Sequence, residues 1–471
     1  MATRALAVSG ASLLLVAACS DEPPPLCDAE ELTDALESAG SGDTVRVGSC
    51  RVRGSFTVPA GVSLTGAGRD VSILEGLSNT VAVFLEPGND GSATRLADLA
   101  VESDGPADLA VPSDGTFAIG ARGDGQGVVA LEAVDVRAQR GFGMGAQDLS
   151  DLEMTDVTLT GQVTPENAAY SPDGWATHGL ALLRIGEAAL TDVTVTGFME
   201  FGAALVETST TWIGGGAPRN IGAGLSQWDG DADLQGLDLS ETLERGIEFT
   251  AAAGIFSSGA RVESVGLVVN DGQAYGLFHD NASAAHVDLV ANDNDWPAAS
   301  AQFCTSFEIS GSAGELARNG QAGLTVIEST TVAVAGARIA ETTPFLTLLQ
   351  VGDEQVQDEM ADGLQIVGPI ETLTLQRLVV ANNGRVGILI DLKEGGADIG
   401  TSDVTVEGTG EQLGAIAQQG NVPDGWDSGV TRQGATAEND PARTEMMGVK
   451  QIIDPEQLPQ LGAIEEDLGL R

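Results

Sequence analysis

Along most of the chain, short runs alternate apolar with polar residues, and each run begins one residue after a glycine. These glycines are Gly179, Gly202, Gly224, Gly246, Gly276, Gly323, Gly363, Gly387 and Gly414. The first three intervals are 23, 22 and 22 residues (179 to 202 to 224 to 246), and 363 to 387 is 24. One residue after the glycine stand Leu180, Ala203, Leu225, Ile247, Leu277, Leu324, Leu364, Ile388 and Ala415. Three after it stand Leu182, Leu205, Gln227, Phe249, His279, Val326, Ile366, Ile390 and Ala417. At the strand period of two, both columns point to one side, the interior. A coil of about 22–25 residues cannot bury its own apolar side, whereas stacked coils can, so the repeat predicts a solenoid of roughly 12 to 16 coils between Cys50 and Gly420. The gaps of 47 (276 to 323) and 40 (323 to 363) predict a coil without its glycine or an inserted loop. A second series, Asp156-Val157-Thr158-Leu159, Asp192-Val193-Thr194-Val195 and Asp403-Val404-Thr405-Val406, marks another strand of the same coil. Asn270-x-Gly272, Asn319-Gly320 and Asn383-Gly384 read as turns using Asn and Gly for left-handed backbone angles.

Ahead of the repeat, Asp28 with Glu31 three residues on, then Leu32, Ala35 and Leu36, predicts a capped amphipathic helix over 28–39 that Gly40 and Gly42 stop. Short β runs follow at Thr44–Val47, Ser55–Val58, Val62–Leu64 and Val71–Leu74. The stretch ALESAGSGDTVRVGSC…FTVPAGVSLTGAGRDVSILEG resembles the opening of the pectate-lyase-like right-handed parallel β-helices, in which a helix plugs the first coil. That resemblance implies an all-β fold: one single-stranded right-handed parallel β-helix over 28–430 with a short N-terminal capping helix. Residues 431–471, polar and without period until the Pro breaks at 455 and 459, are expected to form an irregular C-terminal cap or tail.

The first residues read as a targeting segment. Arg4 precedes an apolar stretch, Ala5 to Ala18, too short to span a bilayer comfortably. Its end, Leu15-Val16-Ala17-Ala18-Cys19, resembles the bacterial lipobox. The resemblance implies that residues 1–18 leave as a lipoprotein signal peptide and that Cys19 becomes the lipid-modified first residue. Residues 19–27 then form a polar, proline-stiffened tether, and Ser20 is similar to the residue found in lipoproteins sorted to an outer membrane. The expected location is the cell envelope, lipid-anchored at the outer membrane or cell surface. Export implies an oxidising compartment, where Cys27 and Cys50 make a candidate disulfide. Cys304 is left over and reads as a small buried hydrophobe.

Composition narrows the function. The 471 residues carry 69 Asp+Glu against 22 Lys+Arg, a formal charge of −47. Phosphate contacts need clustered Lys and Arg, so a nucleic-acid partner is excluded in any ordinary sense. Polyanionic sugars are disfavoured unless divalent cations bridge them. Hydrophobic residues at 42% argue against wholesale disorder, and 62 glycines with 4% aromatics suit a narrow interior of small aliphatics with many turns. Lys393 and Lys450 lack P-loop spacing, no serine occupies G-x-S-x-G, and His178, His279 and His286 form no zinc motif. Gly141-Phe142-Gly143-Met144-Gly145 suggests β-helix turns rather than a dinucleotide loop.

Several residues remain as candidates. Five residues after the glycine, Arg184, Glu207 and Asp229 fall on three successive coils about 4.8 Å apart. Resemblance to the family's calcium-dependent lyases implies Glu207 and Asp229 as calcium ligands and Arg184 as the base; the alternative is an exposed ionic ladder. Asp229-Gly230-Asp231-Ala232-Asp233 begins like an EF-hand but has Leu234 at position six and Ser240 at position twelve, leaving Asp231 and Asp233 as members of a looser calcium site or of a solvated turn. Asn292-Asp293-Asn294-Asp295 invites the same two readings. Calcium is thus the one candidate cofactor. Trp175, Trp212, Trp228 and Trp296 lie in or near predicted turns and are candidates for stacking on sugar rings. His279-Asp280 has the look of a catalytic pair, yet the alignment puts His279 in the inward column as a hydrogen-bonded core residue. The polygalacturonase motifs N-T-D and G-H-G are not found. Three classes follow: a non-catalytic module binding a glycan or a surface protein, a calcium-dependent polysaccharide lyase or glycoside hydrolase, and a purely structural surface component.

Overall fold

A computed structural model describes residues 24–433 apart from 78–79, 90–91, 104–116, 140, 163–175, 244–251, 352–353, 393–395 and 409–414. Cys19, Trp175, Gly246, Ile247, Phe249 and the segment 434–471 therefore lie outside the described residues. The chain begins with the helix Ala29–Ser38, capped by the Asp28 carboxylate, which accepts from the amides of Glu30 (2.9 Å) and Glu31 (3.2 Å). Leu32 and Leu36 are its buried residues and plug the first coil. A disulfide joins Cys27 to Cys50, Cα atoms 5.9 Å apart, beside the helix.

From Thr44 onward the chain winds as a right-handed parallel β-helix, each coil laying short strands on three faces. Face A runs from Phe56–Val58 to Ile416–Gly420, face B from Thr44–Arg46 to Asp398–Ser402, and face C from Arg51–Arg53 to Val430–Gln433. In the inward column of face A, Phe56, Val83, Ile119, Met144, Leu180, Ala203, Leu225, Ile255, Leu277, Ala299, Leu324, Leu364, Ile388 and Ile416 stand in register, one per coil and fourteen in all. All are buried in one continuous aliphatic core with Leu182 and Leu205.

The glycine repeat has a steric cause. A Cβ on Gly143, Gly179, Gly202, Gly224, Gly254, Gly276, Gly323 or Gly363 would sit 2.3–2.8 Å from a carbonyl oxygen at the equivalent position of the next coil. Backbones of successive coils approach too closely there for a side chain. Gly254 supplies this position, and not Gly246 as the spacing predicted; the eight residues 244–251 lengthen that coil. The gap of 47 hides a coil with Ala298 at the position, since Leu277 pairs with Ala299 and Ala299 with Leu324. The gap of 40 is an insertion, an antiparallel hairpin pairing Phe345–Val351 with Glu354–Met360. In the last coil Ile416 pairs with Ile388, so the predicted inward Ala415 and Ala417 are out by one residue.

The turns also differ from expectation. Asp156, Asp192 and Asp403 open their strands in left-handed conformation, φ 52°, 52° and 53°. The asparagines do not adopt left-handed angles themselves; their neighbours Asp271, Arg318 and Asn382 do, at φ 57°, 57° and 54°. Asn319 is turned inward: its Oδ1 accepts from the Asn294 amide (3.0 Å), and its Nδ2 donates to the Ala291 carbonyl (2.8 Å). This ladder satisfies backbone groups that the corner would otherwise strand. At the C-terminal end, Trp426 is buried and donates from Nε1 to Gln418 Oε1 (2.6 Å), and regular pairing persists to Gln433.

Candidate functional site

Faces A and B treat their outward residues differently. On face B the strand Asp231–Gln235 alternates exposed and buried, as a half-solvated strand should. On face A the strands Phe201–Val206, Ala223–Trp228 and Tyr275–Asp280 are buried throughout, outward residues included. Their outward side chains form a second apolar cluster containing Phe142, Phe201, Trp228, Phe256, Tyr275 and Phe278. Ring centroids step along it from Phe142 to His178 (4.9 Å), Phe201 (5.1 Å), Trp228 (5.5 Å), Phe256 (5.5 Å) and Phe278 (6.1 Å).

The sequence candidates fall in other places. Arg184, Glu207 and Asp229 occupy one turn position between faces A and B, in left-handed conformation with φ 54°, 47° and 50°. Arg184 reaches back to Asp148 (Nε to Oδ1 2.7 Å, Nη2 to Oδ2 3.3 Å) rather than on to Glu207. Asp231 and Asp233 continue onto face B, where Asp231 stands in register with Arg261. Among the described residues no three His, Cys, Asp or Glu side chains are grouped to hold a metal ion. The Asn292–Asp295 segment is part of the asparagine ladder: Asn292 and Asn294 are buried, and Asp293 forms a bidentate pair with Arg318, both contacts 2.7 Å.

Of the tryptophans, Trp212 is an inward core residue donating to the Val193 carbonyl (3.3 Å), because its strand places it opposite Leu190 and Leu234. Trp228 belongs to the outer aromatic row and is 5% exposed, too little to offer a sugar its face. Trp296 is half-buried and packs on Tyr275, centroids 5.2 Å apart. His279 lies in the core: Nδ1 bonds Ser257 Oγ (2.6 Å) and Nε2 meets His286 Nε2 (3.0 Å), while His286 Nδ1 bonds Ser264 Oγ (2.7 Å). Burial, with His286 beside it, holds His279 well below the ordinary imidazole value, and burial pulls His286 down to about 4. Cys304 is buried, and desolvation pushes its thiol up to about 12, which makes it inert as a nucleophile.

The aromatic row gives way to a cavity of about 300 Å3 on the outside of face A, lined by Tyr275, Pro297, Ser300, Gln321, Thr325, Ile327, Met360 and Gln365. Ser300, Thr325 and Gln365 are successive members of one outward column, two residues past the glycine position. Met360, from the base of the hairpin, closes one side. Gln365 is held from behind: its Nε2 donates to Asp362 Oδ2 (2.6 Å), and its Oε1 accepts from Thr325 Oγ1 (3.3 Å). Asp362 in turn accepts from Arg385 Nε (2.7 Å) and Nη2, a buried bidentate pair. Near the cavity, Asp280 accepts from Gln302 Nε2 (2.8 Å) and Ser258 Oγ (3.5 Å), and burial raises its carboxyl above the usual range.

This set of groups binds; it is poorly placed to cleave. Asp280 and Asp362 lie three coils apart, about 14 Å between backbones, whereas paired glycosidase carboxylates stand roughly 5–9.5 Å apart. Each is also tied to its own partner. The signal that sequence reading missed was the outward column Ser300, Thr325, Gln365, overshadowed by the charged column three residues further on.

The fold therefore defines a right-handed parallel β-helix protein with an uncharged cavity on its long face, the architecture of the pectate-lyase-like proteins that the first coils resemble. No family model matches the chain, and no curated protein matches it. Among solved structures it is similar to the periplasmic alginate epimerase AlgG, at 12% identity over 86% of this chain and 82% of that one, TM-score 0.32. It is also similar to the A-module of the Azotobacter vinelandii mannuronan C-5 epimerase AlgE4, at 14% identity over 86% and 90%, TM-score 0.28. A carrot pectin methylesterase shares 11% identity over 57% and 83%, TM-score 0.31.

Proposed function

We propose that the protein is a cell-envelope lipoprotein, acylated on Cys19, whose β-helix is a non-catalytic module that binds a glycan. The cavity carries this reading. It sets apolar walls from Tyr275, Pro297, Ile327 and Met360 against hydroxyl and amide groups from Ser300, Thr325, Gln321 and Gln365. Sugar rings present the same division, with C–H faces and hydroxyl edges. The neighbouring carboxylates lack the pairing that hydrolysis needs. The test is retention of the full-length protein, in detergent, on a panel of immobilised polysaccharides. Retention on at least one glycan, with no product released over long incubation, is expected. Retention on none overturns the reading.

The anchor is tested separately. Cys19→Ala should move the protein from the membrane to the soluble fraction, because no other segment of 18 uninterrupted apolar residues is present to hold it. Persistence of the variant in the membrane fraction would show that the anchor lies elsewhere.

A further inference from the structure

We infer that the cavity selects an uncharged sugar and rejects uronates. This deepens the glycan-binding reading and rests on it. None of the eight lining residues carries a charge at neutral pH; Tyr275 is a phenol whose ionisation burial pushes up further. An anionic ligand needs a cation or a set of aimed amide donors. The cation nearest the polar wall, Arg385, is spent on Asp362, to which it is bound through Nε and Nη2, and both side chains are buried. The surrounding charges have the wrong sign for a uronate: Asp280 holds one end of the face through Gln302, Glu328 follows the lining residue Ile327, and Asp391 lies beyond Val386 with Gln419 as its amide partner. With a chain charge of −47, the far field repels anions as well.

The polar wall is also of the kind that neutral hydroxyls use. The relay from Arg385 to Asp362 to Gln365 to Thr325 fixes the Gln365 amide with its nitrogen toward Asp362 and its oxygen toward Thr325. What remains toward the cavity is acceptor capacity on Gln365 Oε1 and Thr325 Oγ1, together with the rotatable hydroxyl of Ser300. Acceptors match hydroxyl donors and oppose carboxylates. A volume near 300 Å3 corresponds to about ten water molecules, room for a short saccharide segment and not for a long chain.

The test is titration of the full-length protein with two series: neutral oligosaccharides (gluco-, xylo-, manno- and N-acetylchito-oligomers) and uronate oligomers (galacturonate, alginate), each with and without calcium. A neutral oligomer should bind, and Ser300→Ala and Thr325→Val should each weaken it by about tenfold, one hydrogen bond's worth, with unchanged melting temperature. Thr325→Val preserves shape at a half-buried strand position, so it keeps the test readable if a bolder variant fails to fold. Tighter binding of uronates, or neutral binding that both variants leave untouched, overturns the inference while glycan binding itself stands. Binding of neither series sinks the parent reading and this inference with it.

Discussion

At the scale of single residues, the interior is not uniformly apolar. His279 and His286 meet through their Nε2 atoms inside the coil, on strands of faces A and B, with Ser257 and Ser264 one coil earlier taking the Nδ1 sides and Phe307 stacked against both rings. Both imidazoles are depressed in the folded state, His286 to about 4 and His279 well below its ordinary value. The unfolded chain, titrating near 6.5, therefore binds more protons than the folded one between those limits. Stability is complete above about pH 6.5 and falls as the pH drops toward 4, by a few kcal/mol for the pair. Melting temperature measured from pH 7.5 to 4.5 should decline for the wild type and decline less for His279→Gln/His286→Gln; equal slopes would mean the pair is not the proton acceptor. Half of this network was legible in the sequence. The coil period already placed His279 inward and above Ser257, but contact with His286 crosses the interior between faces, and no spacing along the chain encodes that crossing. Arg184, Glu207 and Asp229 failed for a related reason. Counting by twos from the glycine remains valid only while the strand lasts, and at the fifth residue the chain has entered a left-handed corner.

At the scale of elements, the repeat was readable because a steric rule enforces it, and it faded where another residue or an insertion met the rule. Gly202 shows the rule's strength: an added Cβ would lie 2.6 Å from the Gly224 carbonyl oxygen and 2.4 Å from Asn220 Nδ2. Gly202→Ala should destabilise by about 1–3 kcal/mol through forced separation of two coils. A denaturation midpoint like that of the wild type would show that the coils can slide apart freely. The inserted hairpin was legible only as a gap, since its strands pair with each other and so leave no trace in the coil period. Its effect on face A is to bring Met360 over the outward residues, and beneath it lies the Asp362–Arg385 pair. Breaking that pair by Arg385→Met strands a buried carboxylate and should cost about 3–5 kcal/mol, whereas Asp362→Leu/Arg385→Met should recover much of the loss. If the single variant is as stable as the wild type, Asp362 is reached by water and the wall of the cavity is softer than its hydrogen bonds imply.

Across the whole molecule, the surplus of acid decides how the solenoid responds to its solution. Many arginines on the early coils are already committed: Arg51 to Glu75 and Glu102, Arg137 to Glu102 and Asp135, Arg69 to Asp135 and Asp156. These exposed pairs contribute little each, about 0–1 kcal/mol. The remaining carboxylates repeat coil after coil at exposed corners, as Glu207 and Asp229 do, about 4.8 Å apart along the stack and well inside the Debye length of roughly 10 Å at 0.1 M salt. Folding brings them closer than they stand in the open chain, so the compact state carries self-repulsion that salt relieves. Melting temperature should therefore rise with sodium chloride between low and physiological ionic strength. Calcium offers the sharper comparison. A dedicated site among Glu207, Asp229, Asp231 and Asp233 would prefer calcium to magnesium, because only calcium accepts an irregular set of oxygen ligands without strict octahedral geometry. Diffuse screening makes no such distinction. The corner and strand positions of these four residues spread them over a turn and a face instead of converging on one point. Equal shifts with calcium and magnesium at matched concentration are expected, unchanged by Glu207→Ala with Asp229→Ala. A calcium-specific rise in melting temperature that the double variant abolishes would restore the acidic corner as a metal site.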